Sequence, residues 1–423
     1  MKIYKFGGAS VRDAAGVRNV SDIVTAADGR LVVVVSAMGK TTNALETLVD
    51  AFFYGRHDEC AGIIAALSDS HLRAADELMG ADSPCHAALR SLLAKLAEKV
   101  AGQPSLNYDF EYDQIICYGE LLSSVIVSHY LNSIGRPARW VDIRTALKTD
   151  DNYRDARIDW QLSATFVPDA FAGADVCVTQ GFIGSTINNL TTTLGREGSD
   201  YSAAIIGHIL DAESVTIWKD VPGVMSSDPR WYPDAQFLPR LSYWEAIEMT
   251  YFGANVIHPK TLKPLQNKNI PLRVRSFVNP GAEGTIISSF DNSDSLPPML
   301  ILRRKQIFIS MSPKDFSFIM EDNLSQIFSI FSRHKVKINL LQNSALNFSV
   351  CIDNTPKLPA LLDELGRSYN TRYNDDLELL NIRHYDAATL ASVISGKTII
   401  DSQVTRKTAR YVVKASPWNF RQS

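Results

Sequence analysis

The sequence predicts an α/β protein in two parts: a three-layer αβα domain around a mostly parallel sheet, then a smaller module of strand–helix–strand–strand–helix–strand order. Three observations predict it. Short apolar, β-branched runs alternate with longer helical patterns through the first three hundred residues. Glycine-containing loops follow several of those runs. A polar, proline-ended stretch, Asp291-Asn292-Ser293-Asp294-Ser295-Leu296-Pro297-Pro298, then separates this rhythm from a different one. At 423 residues the chain also exceeds one ordinary compact core.

The elements follow in order. Lys2 to Phe6 reads as a strand, followed by a Gly-Gly turn and a helix from about Val11 to Ala26. Leu31 to Ser36, almost wholly β-branched, reads as a buried strand ending in the polar loop Ala37 to Asn43. Helical periodicity dominates from about Ala44 to Val100. Asp175 to Thr179 and Ser214 to Trp218 are two more buried strands. Beyond the polar stretch come strands at Gln306–Met311, Ile338–Gln342, Phe348–Asp353 and Leu377–Ile382, with helices at Leu324–His334 and Leu358–Leu365. That βαββαβ order belongs to small ligand-sensing domains of ferredoxin-like type. A short helix, Ala387–Ser395, and a hairpin from Lys397 to Lys414 look like a shortened second unit. The expected domains are therefore 1–290, a linker at 291–302, and a C-terminal module at 303–423.

Composition narrows the function. The 43 basic and 46 acidic residues leave a formal charge of −3, which argues against nucleic acid or an anionic membrane as partner. The five scattered cysteines form no Cys-x-x-Cys pair and the eight histidines show no ligand spacing, so no metal site is expected. No apolar run is long enough to span a bilayer, and no signal peptide is visible. A reduced, cytoplasmic protein is the simplest expectation.

In doubly wound sheets, ligands bind at loops leaving the carboxyl ends of strands. Four such loops stand out. Lys5-Phe6-Gly7-Gly8-Ala9-Ser10 joins a strand-end lysine to two glycines and a helix start, which suits an anion and equally suits an ordinary strand–turn–helix. Thr191-Thr192-Thr193-Leu194-Gly195-Arg196-Glu197-Gly198-Ser199-Asp200 sets a glycine-flanked arginine at a strand-to-helix junction, where it can take a carboxylate by two parallel hydrogen bonds. Ser199 or Asp200 also suits a simple helix cap. Trp218-Lys219-Asp220-Val221-Pro222-Gly223 suits a nucleotide or a polar turn. Glu120, in Tyr118-Gly119-Glu120-Leu121, opens an apolar helix, where an acid is also favoured by the helix dipole.

Together and in this order, these loops resemble the aspartate kinase branch of the amino-acid kinase family. Ser36-Ala37-Met38-Gly39 with Thr42-Asn43, Asp228-Pro229-Arg230, and Phe252-Gly253-Ala254 with His258-Pro259 complete the set. The C-terminal module is similar to an ACT domain. The resemblance implies Mg-ATP–dependent phosphorylation of the side-chain carboxylate of L-aspartate, giving β-aspartyl phosphate, the first step toward lysine, threonine and methionine. It implies that Arg196 clamps the α-carboxylate, Glu120 and Asp200 hold the ammonium, and Ser36, Thr42 and Ser199 complete the substrate pocket. Lys5, Gly7, Gly8 and Ser10 would surround the transferred phosphoryl group, with Lys5 and Asp200 catalytic. Lys219, Asp220, Met225 and Arg230 would line the ATP site.

In the module, Asn339, Asn343 and Ser344 lie where an amino-acid effector would sit, lysine first and threonine second, and are equally readable as strand-end and turn polars. ACT pairing implies a homo-oligomer, a dimer through this module. The chain's length leads to the expectation of no fused homoserine dehydrogenase. Three departures are visible: Ala9 where threonine is usual, Glu197 where glycine is frequent, and Asn255 where some members carry lysine, a charge that Lys219 would supply. They support an alternative, an amino-acid sensor that keeps the fold without turnover. Another member of the family, such as acetylglutamate kinase, would leave Glu120 and Asp200 without an ammonium to bind.

Overall fold

The computed structural model describes residues 1–254, 257–290, 296–315 and 317–418. They form two compact units: Met1–Val224 with Pro239–Ile247 and Val256–Asp291, and Met225–Leu238 with Glu248–Asn255 and Asn292–Ser423.

The first unit is built on an eight-stranded sheet. Its strands run in the order Arg139–Val141, Val176–Gln180, Leu31–Val35, Lys2–Phe6, Ser214–Lys219, Leu272–Ser276, Thr285–Ser288 and Arg240–Ser242. Neighbours are parallel except Thr285–Ser288 against Leu272–Ser276. Leu31–Val35 and Val176–Gln180 are buried at every residue, as strands covered by helices on both faces must be. Phe6 and Trp218 are register partners, and their rings stack at 5.9 Å. The chain fills one side of Lys2–Phe6 first and the other side later. The order therefore reverses at this strand, and a crevice opens beyond the carboxyl ends of Lys2–Phe6 and its neighbours.

The long helical run between Ala44 and Val100 is three helices, Thr41–Phe53, His57–Met79 and Pro84–Ala101. Gly55 and Gly80, at φ +71 and +80, end the first two, and Ser83 with Pro84 starts the third. The first helix starts at Ala14 rather than Val11, because the Asp13 carboxylate accepts the Gly16 N–H at 2.8 Å and caps it there.

The second unit follows the expected βαββαβ order: Met299–Pro313, Glu321–Arg333, Ile338–Asn343, Phe348–Asp353, Leu358–Ser368 and Tyr369–Arg383. The two long strands extend well beyond the expected segments. Their far halves pair Met299–Arg303 with Leu379–Arg383 and bury a second core with Ala387–Ile394 and the hairpin Ile399–Val404/Thr408–Lys414. The shortened second unit is thus laid on strands shared with the first. Two segments expected in the catalytic domain, Met225–Leu238 and Glu248–Asn255, belong to this unit instead. Trp231 packs on Trp418 with ring centres 5.5 Å apart, and Leu300 N–H donates to the Ser226 carbonyl. The expected linker at 291–302 falls partly outside the described residues. Among the described residues, no helix is long and apolar enough to cross a membrane.

Candidate active site

A cleft of about 530 Å³ opens in the first unit at the carboxyl ends of its central strands. Lys5, next to last in Lys2–Phe6, and Lys219, the end of Ser214–Lys219, are carried there by adjacent parallel strands. Both reach Asp200, in the first turn of the helix Gly198–Ile209. Lys5 Nζ stands 2.6 Å from Asp200 Oδ1, and Lys219 Nζ 3.5 Å from Oδ2. Burial alone would raise the Asp200 carboxyl. The two ammonium groups outweigh burial and hold it below the ordinary aspartate value.

Glu120 is buried beside this cluster, near the start of the helix Tyr118–Ser133. Its Oε1 accepts the Ala37 N–H at 3.3 Å, and its Oε2 has no partner among the described residues. Burial pushes its carboxyl up to about 8. The same helix anchors the loop after Leu31–Val35, because Ser123 Oγ donates to the Ser36 carbonyl at 2.7 Å. That loop brings Ser36 and Thr42 to the cleft.

Arg196 is exposed at the rim and makes no hydrogen bond or ion pair among the described residues. Glu197 beside it has φ +55, a left-handed backbone that explains why glycine suits this position. Its Oε2 is buried without a partner among the described residues.

The glycine loop lies against the loop that carries Ser36. A Cβ on Gly8 would stand 2.6 Å from the Ala37 carbonyl oxygen, and the Gly39 N–H donates to the Gly8 carbonyl at 3.1 Å. Ser10 N–H closes the turn onto the Gly7 carbonyl at 2.9 Å, while Ser10 Oγ is buried without a partner among the described residues. Lys5 Nζ lies 3.6 Å from where a Gly7 Cβ would be.

The cleft therefore gathers Lys5, Ser36, Thr42, Glu120, Arg196, Ser199, Asp200 and Lys219. Gly7, Gly8, Ser10 and Asp220 stand at neighbouring strand ends without lining it. Met225 and Arg230 belong to the second unit: Met225 bridges to Phe237, and Arg230 is exposed with its guanidinium engaged by Asp228 at 2.6 Å. Asn339 is buried and donates to Gln306 and Asp353, both at 3.0 Å. Ser344 closes a turn onto Asn347, and Asn343 ends the preceding strand. Asn255 lies outside the described residues. Three lining side chains were not among the expected site residues: Tyr112 and Arg154 sit in no glycine loop, and Phe182, although it lies in the Gly181-Phe182-Ile183-Gly184 loop, is apolar and offered no binding chemistry. Among the described residues, no group of three or more His, Cys, Asp or Glu is placed to hold a metal ion.

Residues 1–276 match the model of the Amino acid kinase family. The chain is 37% identical to the bifunctional aspartokinase/homoserine dehydrogenase 1 of Zea mays over 67% of its own length, and it spans 32% of that protein. It is 31% identical to lysine-sensitive aspartokinase 3 of Escherichia coli, with 84% of this chain and 78% of that one covered. Aspartokinase 2 of Arabidopsis thaliana is 32% identical, covering 88% and 69%. Among solved structures, E. coli aspartokinase III in complex with aspartate and ADP (R-state) superposes with a TM-score of 0.81 at 29% identity, covering 98% of this chain and 96% of that one. The same enzyme in complex with lysine and aspartate (T-state) gives 0.80 at 28% identity and the same coverage.

Proposed function

The chain belongs to the amino acid kinase family and, within it, to the aspartokinases, and from that premise we propose that it transfers the ATP γ-phosphoryl group to the β-carboxylate of L-aspartate. The observation that carries the reading is one cleft holding the buried Lys5 and the partly exposed Lys219 on Asp200, an Arg196 unpaired among the described residues and a buried Glu120. An amino acid with two carboxylates and one ammonium matches that charge pattern.

The Arg196 guanidinium takes the α-carboxylate as a two-pronged donor. Glu120 receives the ammonium through Oε2, which has no partner among the described residues. Ser36, Thr42 and Ser199 complete the pocket with hydroxyl groups. Asp200 already meets two ammonium groups, so its role shifts from holding the substrate's ammonium to positioning Lys5 and Lys219. The β-carboxylate, with an ordinary pKa of about 3.9, is ionised at neutral pH and needs no general base. What the site must supply is in-line alignment of two anions and neutralisation of charge on the phosphoryl oxygens. Lys5 and the amides of the Gly7–Ser10 turn do this, and Lys219 with Asp220 flanks the nucleotide. Mg²⁺ typically binds through one or two carboxylates plus substrate phosphates, so the exposed Asp220 would offer a carboxylate to an ion carried by ATP, which would supply neutralisation of phosphate charge. Met225 and Arg230 as further nucleotide contacts rest on the family resemblance.

The βαββαβ unit supports feedback control by lysine, with threonine as the other candidate, and dimer formation through that unit. A cytoplasmic location fits a metabolic kinase of this kind. The test is a hydroxamate assay with ATP, Mg²⁺ and aspartate. Hydroxylamine traps an acyl phosphate, so a signal with aspartate and none with glutamate or acetylglutamate is expected. ATP binding without any trapped product would turn the reading to a sensor without turnover.

A further inference from the structure

Arg154 lines the same cleft, yet the mechanism above does not use it. Its backbone is left-handed, with φ +69. That conformation is strained for an L-residue. Phe182 and Glu197, at φ +70 and +55, are also non-glycine residues in this region, and both line the cleft. Local strain of this kind persists only where surrounding structure holds it, and it gathers at ligand sites.

Asp113 is what holds Arg154. This fully buried carboxylate accepts the Arg154 N–H on both oxygens, at 3.1 and 3.3 Å. It also accepts the Thr193 N–H at 2.8 Å and the Thr193 hydroxyl at 2.7 Å, three residues before Arg196. One buried group therefore fixes the two chain segments that carry the two guanidinium groups of the cleft. The Arg154 side chain is itself set in place, its guanidinium carbon 4.4 Å from the centre of the Tyr112 ring. Nη1 meets the exposed Asp109 at 3.1 Å, a pair of little energetic weight in water. The remaining guanidinium nitrogens make no hydrogen bond among the described residues.

We propose that Arg154 is a substrate-contacting residue that binds the α-carboxylate together with Arg196, so that the cleft selects amino acids whose α-carboxylate is free. The inference rests on the aspartate reading above and adds a specificity determinant to it.

Arg154→Gly is the informative variant, because glycine adopts this φ without strain while the guanidinium is lost. Calorimetric titration with aspartate and with aspartate α-amide, on wild type and variant, tests the contact. Aspartate binding is expected to weaken roughly 10- to 100-fold, as for loss of a charge-assisted hydrogen bond, and α-amide binding by less than about 3-fold. The melting temperature is expected not to fall. Equal weakening of both ligands, or no weakening, overturns the proposal, since a purely structural role moves both alike. Arg196→Ala is the control. If it discriminates aspartate from the α-amide and Arg154→Gly does not, only the Arg154 proposal falls. If neither variant discriminates, the aspartate reading of the cleft falls with it.

Discussion

Lys5 Nζ and Asp200 Oδ1 stand 2.6 Å apart inside the protein, and Lys219 approaches the other carboxylate oxygen at 3.5 Å. Two cations on one anion leave net positive charge at the point where phosphoryl oxygens would arrive. Asp200→Asn would leave two ammonium groups without their counter-charge. Removing one partner of a buried pair typically costs about 3–5 kcal/mol. A clear fall in melting temperature is expected, together with a loss of at least roughly 100-fold in kcat, because a comparable charge-stabilising donor is worth that much. The Asp200 carboxyl is held below its ordinary value, so its contribution to stability is present at neutral pH and is lost as pH falls below about 3.8. Calorimetry and the hydroxamate assay read these two effects separately.

Lys219 is the more exposed of the two lysines and ends its strand beside Asp220. Lys219→Ala leaves the shorter Lys5–Asp200 pair in place. The expected result is a strongly raised ATP KM with aspartate KM little changed. An unchanged ATP KM would remove Lys219 from the nucleotide site.

Glu120 titrates near 8 because it is buried, so in the free protein at pH 7 it is mostly protonated. Pairing with a substrate ammonium requires the carboxylate. Aspartate KM should therefore fall as pH rises from 6 to 8, approaching tenfold per unit at the acidic end, and binding should release a proton to buffer. The stability effect has the opposite sign. Between about 4.5 and 8 the unfolded chain binds fewer protons than the native one, so this group lowers stability as pH rises through that window. Glu120→Gln should remove both trends. Persistence of the KM trend in that variant would assign it to another group.

Gly8 brings two loops into backbone contact. In Gly8→Ala the new Cβ meets the Ala37 carbonyl oxygen at 2.6 Å, and the clash cannot be relieved by turning a side chain. A loss of about 1–3 kcal/mol is expected from such overpacking. Because the same loop joins Lys5 to Ser10, kcat should fall along with the melting temperature.

Glu197 is a long side chain in a left-handed backbone, with a buried carboxylate oxygen that has no partner among the described residues. Glu197→Gly should raise stability by roughly 1 kcal/mol. It should also strengthen aspartate binding, by removing an anion next to Arg196. A weaker affinity would instead show that Glu197 itself contacts the substrate.

The sequence by itself determined the elements and their class. Runs such as Leu31–Val35 can only be strands covered on both faces, and the glycines after Phe6 and around Arg196 mark loops where backbone must approach closely. These are local signals, carried by side-chain volume, branching and backbone freedom within a few residues. Tertiary structure decided which charges meet. Lys5, Asp200 and Lys219 come together because Phe6 and Trp218 are register partners across adjacent strands, and that register places two lysines over one helix start. Arg154 and Tyr112 entered the cleft through Asp113, whose partners lie 41 and 80 residues away in the chain. Residues Met225–Leu238 joined the second unit through Trp231 and Ser226. Each outcome depends on distance and loss of solvent between groups remote in sequence, and these quantities exist only once the chain has packed.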